Sequence, residues 1–140
     1  MRAGFDWRYC LCVSGLCLTA QVWAGEPRLL IQRAQVAGFA HHEGVRLWPQ
    51  LREGDTVVLV REPANPYDPQ AVRVDIGTAG QGDSTLGYLA RTENGAVARA
   101  LDQGLLLQAR ISHLRETKNP RNRVEIEIWG SVTNLKRLKP

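Results

Sequence analysis

Residues 56–76, TVVLVREPANPYDPQAVRVDI, contain the pattern that decides the fold of this chain. Thr56–Val60 is a continuous apolar, β-branched run, which is typical of a strand. The next ten residues hold three prolines, and proline lacks the N–H that a regular element requires, so we predict a loop there. Residues 71–76 then alternate apolar and charged side chains, which predicts a half-buried strand. The segment therefore predicts a strand, an irregular loop and a second strand.

Similar strand patterns recur on both sides of this segment. Apolar or alternating runs predict four further strands, at Leu29–Val36, Thr85–Leu89, Leu105–His113 and Val124–Ile128. We predict loops between them at residues 41–44, at the glycine-rich Gly77–Gly82 and at the polar residues 115–122.

Only one stretch has the period of a helix. Ala96, Val97, Ala100 and Leu101 recur at helical spacing after residues 92–95, and Gly104 ends the pattern. Six short strands separated by turns favour a mainly β fold, a closed or nearly closed barrel with the helix covering one opening.

The first 24 residues have the order of charges and apolar residues that a secretory signal has. Arg2 and Arg8 precede an apolar run over residues 9–18, and Val22-Trp23-Ala24 supplies small or compact residues at the two positions that a signal peptidase reads, for cleavage before Gly25. The apolar run is too short to span a bilayer, which takes about 20 residues. We therefore predict an exported protein, periplasmic or secreted, with one domain at residues 25–140 and no stable membrane insertion after cleavage.

The cysteines and the charges narrow the class of protein further. All three cysteines lie within the predicted signal, so the remaining domain has no disulfide, no thiolate metal site and no cysteine nucleophile. Removing Arg2, Arg8 and Asp6 from the 18 basic and 14 acidic residues leaves 16 and 13, a small basic excess. Basic residues cluster locally, however, between Arg110 and Arg123 and again over residues 136–139, and such clusters can attract polyanions.

The segment Arg61–Val72, with its core Asn65-Pro66-Tyr67-Asp68, resembles the signature of HIRAN domains. Its surroundings fit the resemblance: residues 36–39 and 54–55 precede it, and Leu86-Gly87-Tyr88-Leu89 follows it. The resemblance covers roughly residues 33–130. It implies a small six-stranded OB-like or SH3-like barrel with one or two short helices. It further implies a nucleic-acid-binding module, because in DNA-repair helicases this domain holds the 3′ end of single-stranded DNA.

The resemblance also assigns roles to individual residues. Tyr67 matches an aromatic residue that stacks on the terminal base, and Asp68 matches a carboxylate that accepts a hydrogen bond from the 3′-hydroxyl. Tyr88 and Arg91 match polar and basic contacts to the terminal nucleotides, and His41 and His113 lie near positions of further stacking rings. At Ala40 the chain lacks the basic residue that the helicase-type domains carry.

Each of these side chains also has an ordinary structural explanation. Tyr67 is equally explained as a loop tyrosine that packs on the barrel. Asp68, which lies between two prolines, is equally explained as a turn residue whose side chain bonds backbone amides. Tyr88 lies in a predicted strand, where core packing competes with a binding role. Arg91 and His41 are explained equally as solvated surface residues. We assign Trp48 and Trp129 to packing.

Three functions remain open from the sequence. The first is a monomeric binding module for single-stranded nucleic acid that recognises 3′ ends. The second is an exported barrel that keeps the fold but binds an envelope protein or polymer. The third, a metal-dependent hydrolase acting on phosphorus-containing bonds through His41, His42, His113 and Asp68, is disfavoured because their spacing matches no helical ligand pair. Enzymatic and zinc-binding activities linked to HIRAN proteins belong to other domains, so we predict no catalytic residues, no metal and no cofactor.

Overall fold

The computed structural model describes residues 27–77, 84–119 and 123–132. Within these ranges the chain forms six strands and two α-helices. The strands are β1 (Arg28–Ala37), β2 (Thr56–Arg61), β3 (Val72–Ile76), β4 (Thr85–Leu89), β5 (Leu107–Leu114) and β6 (Val124–Ser131), and the helices are α1 (Gly44–Leu47) and α2 (Asn94–Asp102).

The six strands close into one antiparallel barrel in the order β1-β4-β3-β2-β5-β6. Closure comes from β1, which pairs along most of its length with β6 and, at its end, with β4 through Val36 and Ala37. The inward side chains form one apolar core, which is almost entirely withdrawn from solvent: Ala34, Val36, Phe39, Val57, Val72, Val74, Leu86, Ile111, Val124, Ile126 and Ile128 are among its members. The mainly β barrel predicted from the sequence is confirmed.

Most predicted elements lie where the sequence patterns place them. The strand at Thr85–Leu89 has the predicted bounds, and the predicted helix is α2, which begins at Asn94 and buries Val97 and Ala98. The prediction of a loop over residues 41–44 is wrong in part, because a 3-10 turn at Phe39–His41 leads into α1, which starts at Gly44. That helix is only four residues long, so it leaves no periodic pattern in the sequence.

The short helical segment after β1 is held by aromatic packing. Phe39 is fully buried, and its ring meets that of Trp48 edge to face at a centroid distance of 5.7 Å. Gly44 lies so close to Phe39 that a Cβ atom there would come within 2.4 Å of the ring. Trp48 thus packs against the core as predicted, whereas Trp129 is half-buried and lies beneath the guanidinium of Arg110 at 5.4 Å.

A register shift in β4 decides which side chains face outward. Val74 pairs with Gly87, but the adjacent Asp75 pairs with Thr85, so Leu86 is an extra residue in β4. Such an insertion reverses the alternation of a strand. Leu86 therefore points into the core, and Tyr88 lies beside Arg73 on the outside of the barrel.

Several sequence predictions lie outside the described residues. These are the signal segment at residues 1–24, most of the glycine-rich turn, and the basic residues 136–139. Neither helix in the described ranges has the length and apolar character needed to cross a membrane.

Candidate binding site

The loop between β2 and β3 is folded by its own side chains. Asn65 accepts a hydrogen bond from the backbone N–H of Tyr67 at 3.0 Å, and Asp68 accepts one from the N–H of Gln70 at 2.8 Å. These are the local side-chain-to-backbone bonds that Asn and Asp make in turns. The turn role left open for Asp68 is therefore present in the structure, and it leaves the carboxylate with further acceptor capacity.

Arg61, the last residue of β2, fastens this loop to the barrel. Its guanidinium donates to the carbonyl oxygen of Pro69 at 2.7 Å and to that of Ala71 at 3.2 Å. The same group donates to the carboxylate of Asp102 at 2.9 Å. Loop, strand and the end of α2 are thus joined by one side chain, which fixes where Tyr67 and Asp68 lie.

Helix α2 holds the carboxylate of Asp68 from the other side. The side-chain amide of Asn94, which is 1% exposed, donates to Asp68 Oδ2 at 2.7 Å. Arg91 Nε lies 4.0 Å from the same oxygen. The Asp68 side chain keeps 17% of its surface in solvent, so this oxygen is held by protein donors while the carboxylate remains partly accessible.

Tyr67 is presented outward instead of being packed on the barrel. Its residue surface is 81% exposed, the largest value among the exposed large hydrophobic side chains of the described residues. Its backbone is nevertheless held, because the Arg91 guanidinium donates to its carbonyl oxygen at 2.5 Å. An aromatic ring that is free while its backbone is fixed can stack on a flat ligand at little conformational cost.

The opposite side of the site is formed by β4. Tyr88 donates its hydroxyl to Glu62 at 3.0 Å, and its ring lies 5.4 Å from the ring of His42 at an angle of 56°. Burial raises the pKa of the Tyr88 hydroxyl, and the hydrogen bond to the negative Glu62 raises it further. Tyr88 is thus a neutral, oriented wall of the site and is not a core residue.

These elements enclose a pocket of about 430 Å³, within the roughly 300–1,000 Å³ usual for small-ligand sites. The lining combines small and apolar residues with aromatic and charged ones: Ala37, Gly38, His42, Asn65, Pro66, Tyr67, Asp68, Ala71, Tyr88, Leu89 and Arg91. A second hollow of about 650 Å³ adjoins it and shares Ala37, Gly38 and Arg91. Its remaining lining includes His41, Thr92 and Glu93.

The structure brings four of the six predicted site residues into one pocket: Tyr67, Asp68, Tyr88 and Arg91. His41 lines the adjoining hollow. His113 does not line either hollow; it lies on β5 with its ring exposed and its Nδ1 against the carbonyl oxygen of Ser112. Its cross-strand partner Glu125 also pairs with Gln35, which does line the second hollow.

Sequence reasoning missed the contributions of Glu62 and His42. Glu62 stands at the edge of the quoted motif, where its charge alone predicts a solvated residue. His42 precedes α1 and meets Tyr88 only because the chain turns back over β4. Adjacent histidines gave no signal that would separate one from the other.

His41, His42, His113 and Asp68, the residues of the disfavoured metal-site hypothesis, do not meet as one set, since His41 lines the second hollow and His113 lines neither. Among the described residues, no set of three or more His, Cys, Asp or Glu side chains is arranged to hold a metal ion. The pocket instead offers one open aromatic face, one carboxylate and one arginine, which is the chemistry of recognition by stacking and hydrogen bonding.

The fold and the pocket define a small β-barrel binding module. A family model described as the HIRAN domain matches residues 30–133, so this chain belongs to the HIRAN family. The resemblance predicted from Arg61–Val72 is confirmed.

Solved structures similar to the chain include a protein from Lactobacillus plantarum and the HIRAN domain of human HLTF. The protein from Lactobacillus plantarum is 28% identical with a TM-score of 0.62, and the match covers 74% of this chain and 95% of that one. The HIRAN domain of human HLTF is 23% identical with a TM-score of 0.54, over 79% of this chain and 86% of that one. A search of proteins with curated functions found no significant match.

Proposed function

We propose that this protein binds single-stranded nucleic acid and that the pocket between Tyr67 and Tyr88 receives the 3′-terminal nucleotide. The observation that carries the proposal is the adjacency of an 81%-exposed tyrosine ring and a partly accessible, firmly held carboxylate, Asp68. Membership in a family whose domain binds DNA in repair helicases supports the same ligand class.

The aromatic part of the site accounts for binding of a base. Stacking of a base on an aromatic side chain contributes about 1–3 kcal/mol and tolerates any sequence, since every base has a π-face. The exposed ring of Tyr67 offers such a face without first breaking a contact of its own. The protein is therefore expected to bind strands of different sequence with similar affinity.

Asp68 accounts for selection of an end. A terminal 3′-hydroxyl can donate to a carboxylate oxygen, whereas a phosphate at the same position brings negative charge against negative charge. The carboxylate cannot turn away from the ligand, because Asn94 and the N–H of Gln70 hold its two oxygens in place. A strand whose 3′ position continues into phosphate is thus disfavoured.

Basic residues at the edge of the pocket and beyond it account for contact with the backbone phosphates. Arg91 is 69% exposed and borders both hollows, so a strand that enters one pocket and continues over the other passes this residue. The described parts of the β5–β6 connection, residues 115–119 and Arg123, lie at the same end of the barrel because Glu125 pairs with Gln35 near the end of β1. Arg115 and Lys118 are exposed there.

The test compares labelled single strands that end in a 3′-hydroxyl or a 3′-phosphate by fluorescence anisotropy. We expect the wild-type protein to prefer the hydroxyl, and Asp68→Asn to lose that preference because the repulsive charge is gone. Asp55→Asn is the matched control, since Asp55 also accepts a backbone amide, from Arg52 at 2.7 Å, but does not line either hollow. Equal affinity of the wild type for both ends would contradict end recognition. No binding at low salt would contradict the proposed ligand class and favour an envelope protein or polymer instead.

A further inference from the structure

The carboxylate of Glu62 accepts hydrogen bonds from both walls of the pocket. Its Oε2 accepts from the hydroxyl of Tyr88 at 3.0 Å and from the side-chain amide of Asn65 at 3.2 Å. Tyr88 belongs to β4, whereas Asn65 belongs to the loop that carries Tyr67. One oxygen atom therefore joins two parts of the chain that are far apart in sequence.

The bond to Asn65 extends to the stacking tyrosine. Asn65 uses its amide nitrogen toward Glu62 and its oxygen toward the backbone N–H of Tyr67 at 3.0 Å. Because both ends of this amide are engaged, the orientation of Asn65 is fixed. Tyr67 is thus connected to Glu62 through two successive hydrogen bonds, and Tyr88 is connected to it through one.

Glu62 is itself anchored in the sheet. Its Oε1 accepts from Arg73 at 2.5 Å, and the same guanidinium donates to Asp75 at 3.0 Å. Asp75 is 1% exposed and accepts a further bond from the hydroxyl of Thr85 at 2.9 Å. The Glu62 carboxylate is therefore held by β3 and β4 and does not depend on a ligand for its position.

We propose that Glu62 is the positioning residue of this pocket, which sets the Tyr88 ring and the Tyr67 turn in fixed relation to each other. Only its effect on ligand binding rests on the function proposed above; the geometric effect on Tyr67 and Tyr88 stands on the hydrogen bonds, and the effect on His42 on its ring contact with Tyr88. A ligand that stacks against an oriented Tyr88 ring and a Tyr67 whose backbone is held avoids part of the cost of ordering the site on binding, so the loss of Glu62 lowers affinity without removing a ligand contact.

The test is the substitution Glu62→Gln in the full chain. Glutamine keeps the size of the side chain but has one acceptor oxygen where the carboxylate has two, so the donors that face its NH₂ group lose their acceptor. We expect about tenfold weaker binding of a 3′-hydroxyl single strand, the loss that follows from removing about 1.4 kcal/mol. Glu53→Gln is the matched control, because Glu53 lies outside both hollows and glutamine keeps the oxygen that accepts from Leu114 N–H.

A double-mutant cycle distinguishes positioning from general destabilisation. If Glu62 acts through Tyr88, Glu62→Gln costs less affinity in a Tyr88→Phe background than in the wild type. Equal losses in both backgrounds, or wild-type affinity of Glu62→Gln, would overturn the proposal. All variants are compared at a temperature where circular dichroism shows them folded.

A second readout needs no nucleic acid. In NMR spectra of the free protein, Glu62→Gln is expected to shift the amide of Tyr67 and the ring signals of His42 and Tyr88, whereas Glu53→Gln leaves them in place. Unchanged signals would overturn the positioning role even if binding fell. Should the wild type bind no strand at all, the proposed function fails, and these shifts alone decide whether Glu62 positions the pocket.

Discussion

The side-chain amide of Asn94, at the first residue of α2, donates a 2.7 Å hydrogen bond to the carboxylate of Asp68, 26 residues earlier in the chain. Asn94 is buried, so this bond is made away from solvent. It joins the start of the only long helix in the described residues to the loop that presents Tyr67. The position of the Asp68 carboxylate, which we propose accepts a hydrogen bond from the 3′-hydroxyl, is thereby tied to the packing of the helix on the barrel.

Asn94→Ala is expected to lower the free energy of unfolding by about 1–3 kcal/mol, because it removes a buried partner from a charged group. Urea denaturation measures the change. Gln103→Ala serves as the control, since it removes a side-chain amide at the exposed opposite end of α2. If the Asn94→Ala protein were as stable as this control, the hydrogen bond between Asn94 and Asp68 would not stabilise the fold and the prediction would be wrong.

Tyr67→Ala is expected to leave stability within about 0.5 kcal/mol, because an exposed ring contributes little to the folded state. The same change should weaken binding of a single strand by about 1–3 kcal/mol, the contribution of one stacked base. Tyr67→Phe keeps the stacking face and should bind nearly as the wild type does. Anisotropy titrations and urea denaturation of the same preparations separate the two effects, and a large stability loss with Tyr67→Ala would count against an exposed ligand role.

Arg91→Ala is expected to weaken binding for all strand sequences and to reduce the slope of log K against log salt by about 1, as for a residue that contacts one phosphate. The measurement is a series of anisotropy titrations at several salt concentrations. Arg28→Ala is the control, because Arg28 lies at the start of β1 and does not line either hollow. An unchanged slope for Arg91→Ala would show that Arg91 contacts no phosphate.

The raised pKa of Tyr88 predicts a pH dependence of stability. The neutral hydroxyl is favoured in the folded state, so its contribution is complete below about pH 10, the ordinary tyrosine value, and is lost as the pH rises through the higher folded-state pKa. Urea denaturation between pH 8 and pH 11 should therefore show a fall in the free energy of unfolding at the alkaline end. The fall arises because the unfolded state releases the Tyr88 proton at a lower pH than the folded state does. Tyr88→Phe should fall less steeply over the same range; parallel curves would contradict the prediction.

Gly87→Ala is expected to destabilise the barrel by about 3 kcal/mol or more, through backbone strain combined with a clash. Gly87 has a φ of +151°, and a Cβ atom there would lie 2.3 Å from the carbonyl oxygen of Ala37 on β1. Gly54→Ala is the matched control: Gly54 has a φ of +94°, but a Cβ atom there would meet nothing within 4 Å. Denaturation curves should show a larger loss of stability for Gly87→Ala than for Gly54→Ala. Equal losses would show that the close approach of β4 to β1 does not add to the destabilisation.

Much of the fold follows from local patterns. The β-branched run at Thr56–Val60, the prolines after it and the alternation over Val124–Ile128 each favour one backbone conformation within a few residues. These patterns predicted the six strands, α2 and the resemblance of Arg61–Val72 to the HIRAN signature, and the structure and the family match confirm them. The helix α1 was not predicted, because four residues are too few to show a helical period in the sequence.

The candidate site was predictable only where its residues are neighbours in the motif. Asn65, Tyr67 and Asp68 form local turns, so their proximity follows from the sequence. Tyr88 is different: regular alternation from Leu86 would place it in the core, and the extra residue in β4 turns it outward. The sequence carries no sign of this shift, because it results from the pairing of β4 with β3.

The sequence by itself determined the strands, the proline-stiffened loop and the residue types that the site uses, since these depend on conformational preferences within short segments. Only the tertiary structure decided which side chains meet. The bonds of Glu62 to Tyr88 and of Asn94 to Asp68 each span 26 residues. Such contacts exist only once the barrel closes and α2 packs against it, because closure sets the register that brings the two walls of the pocket together.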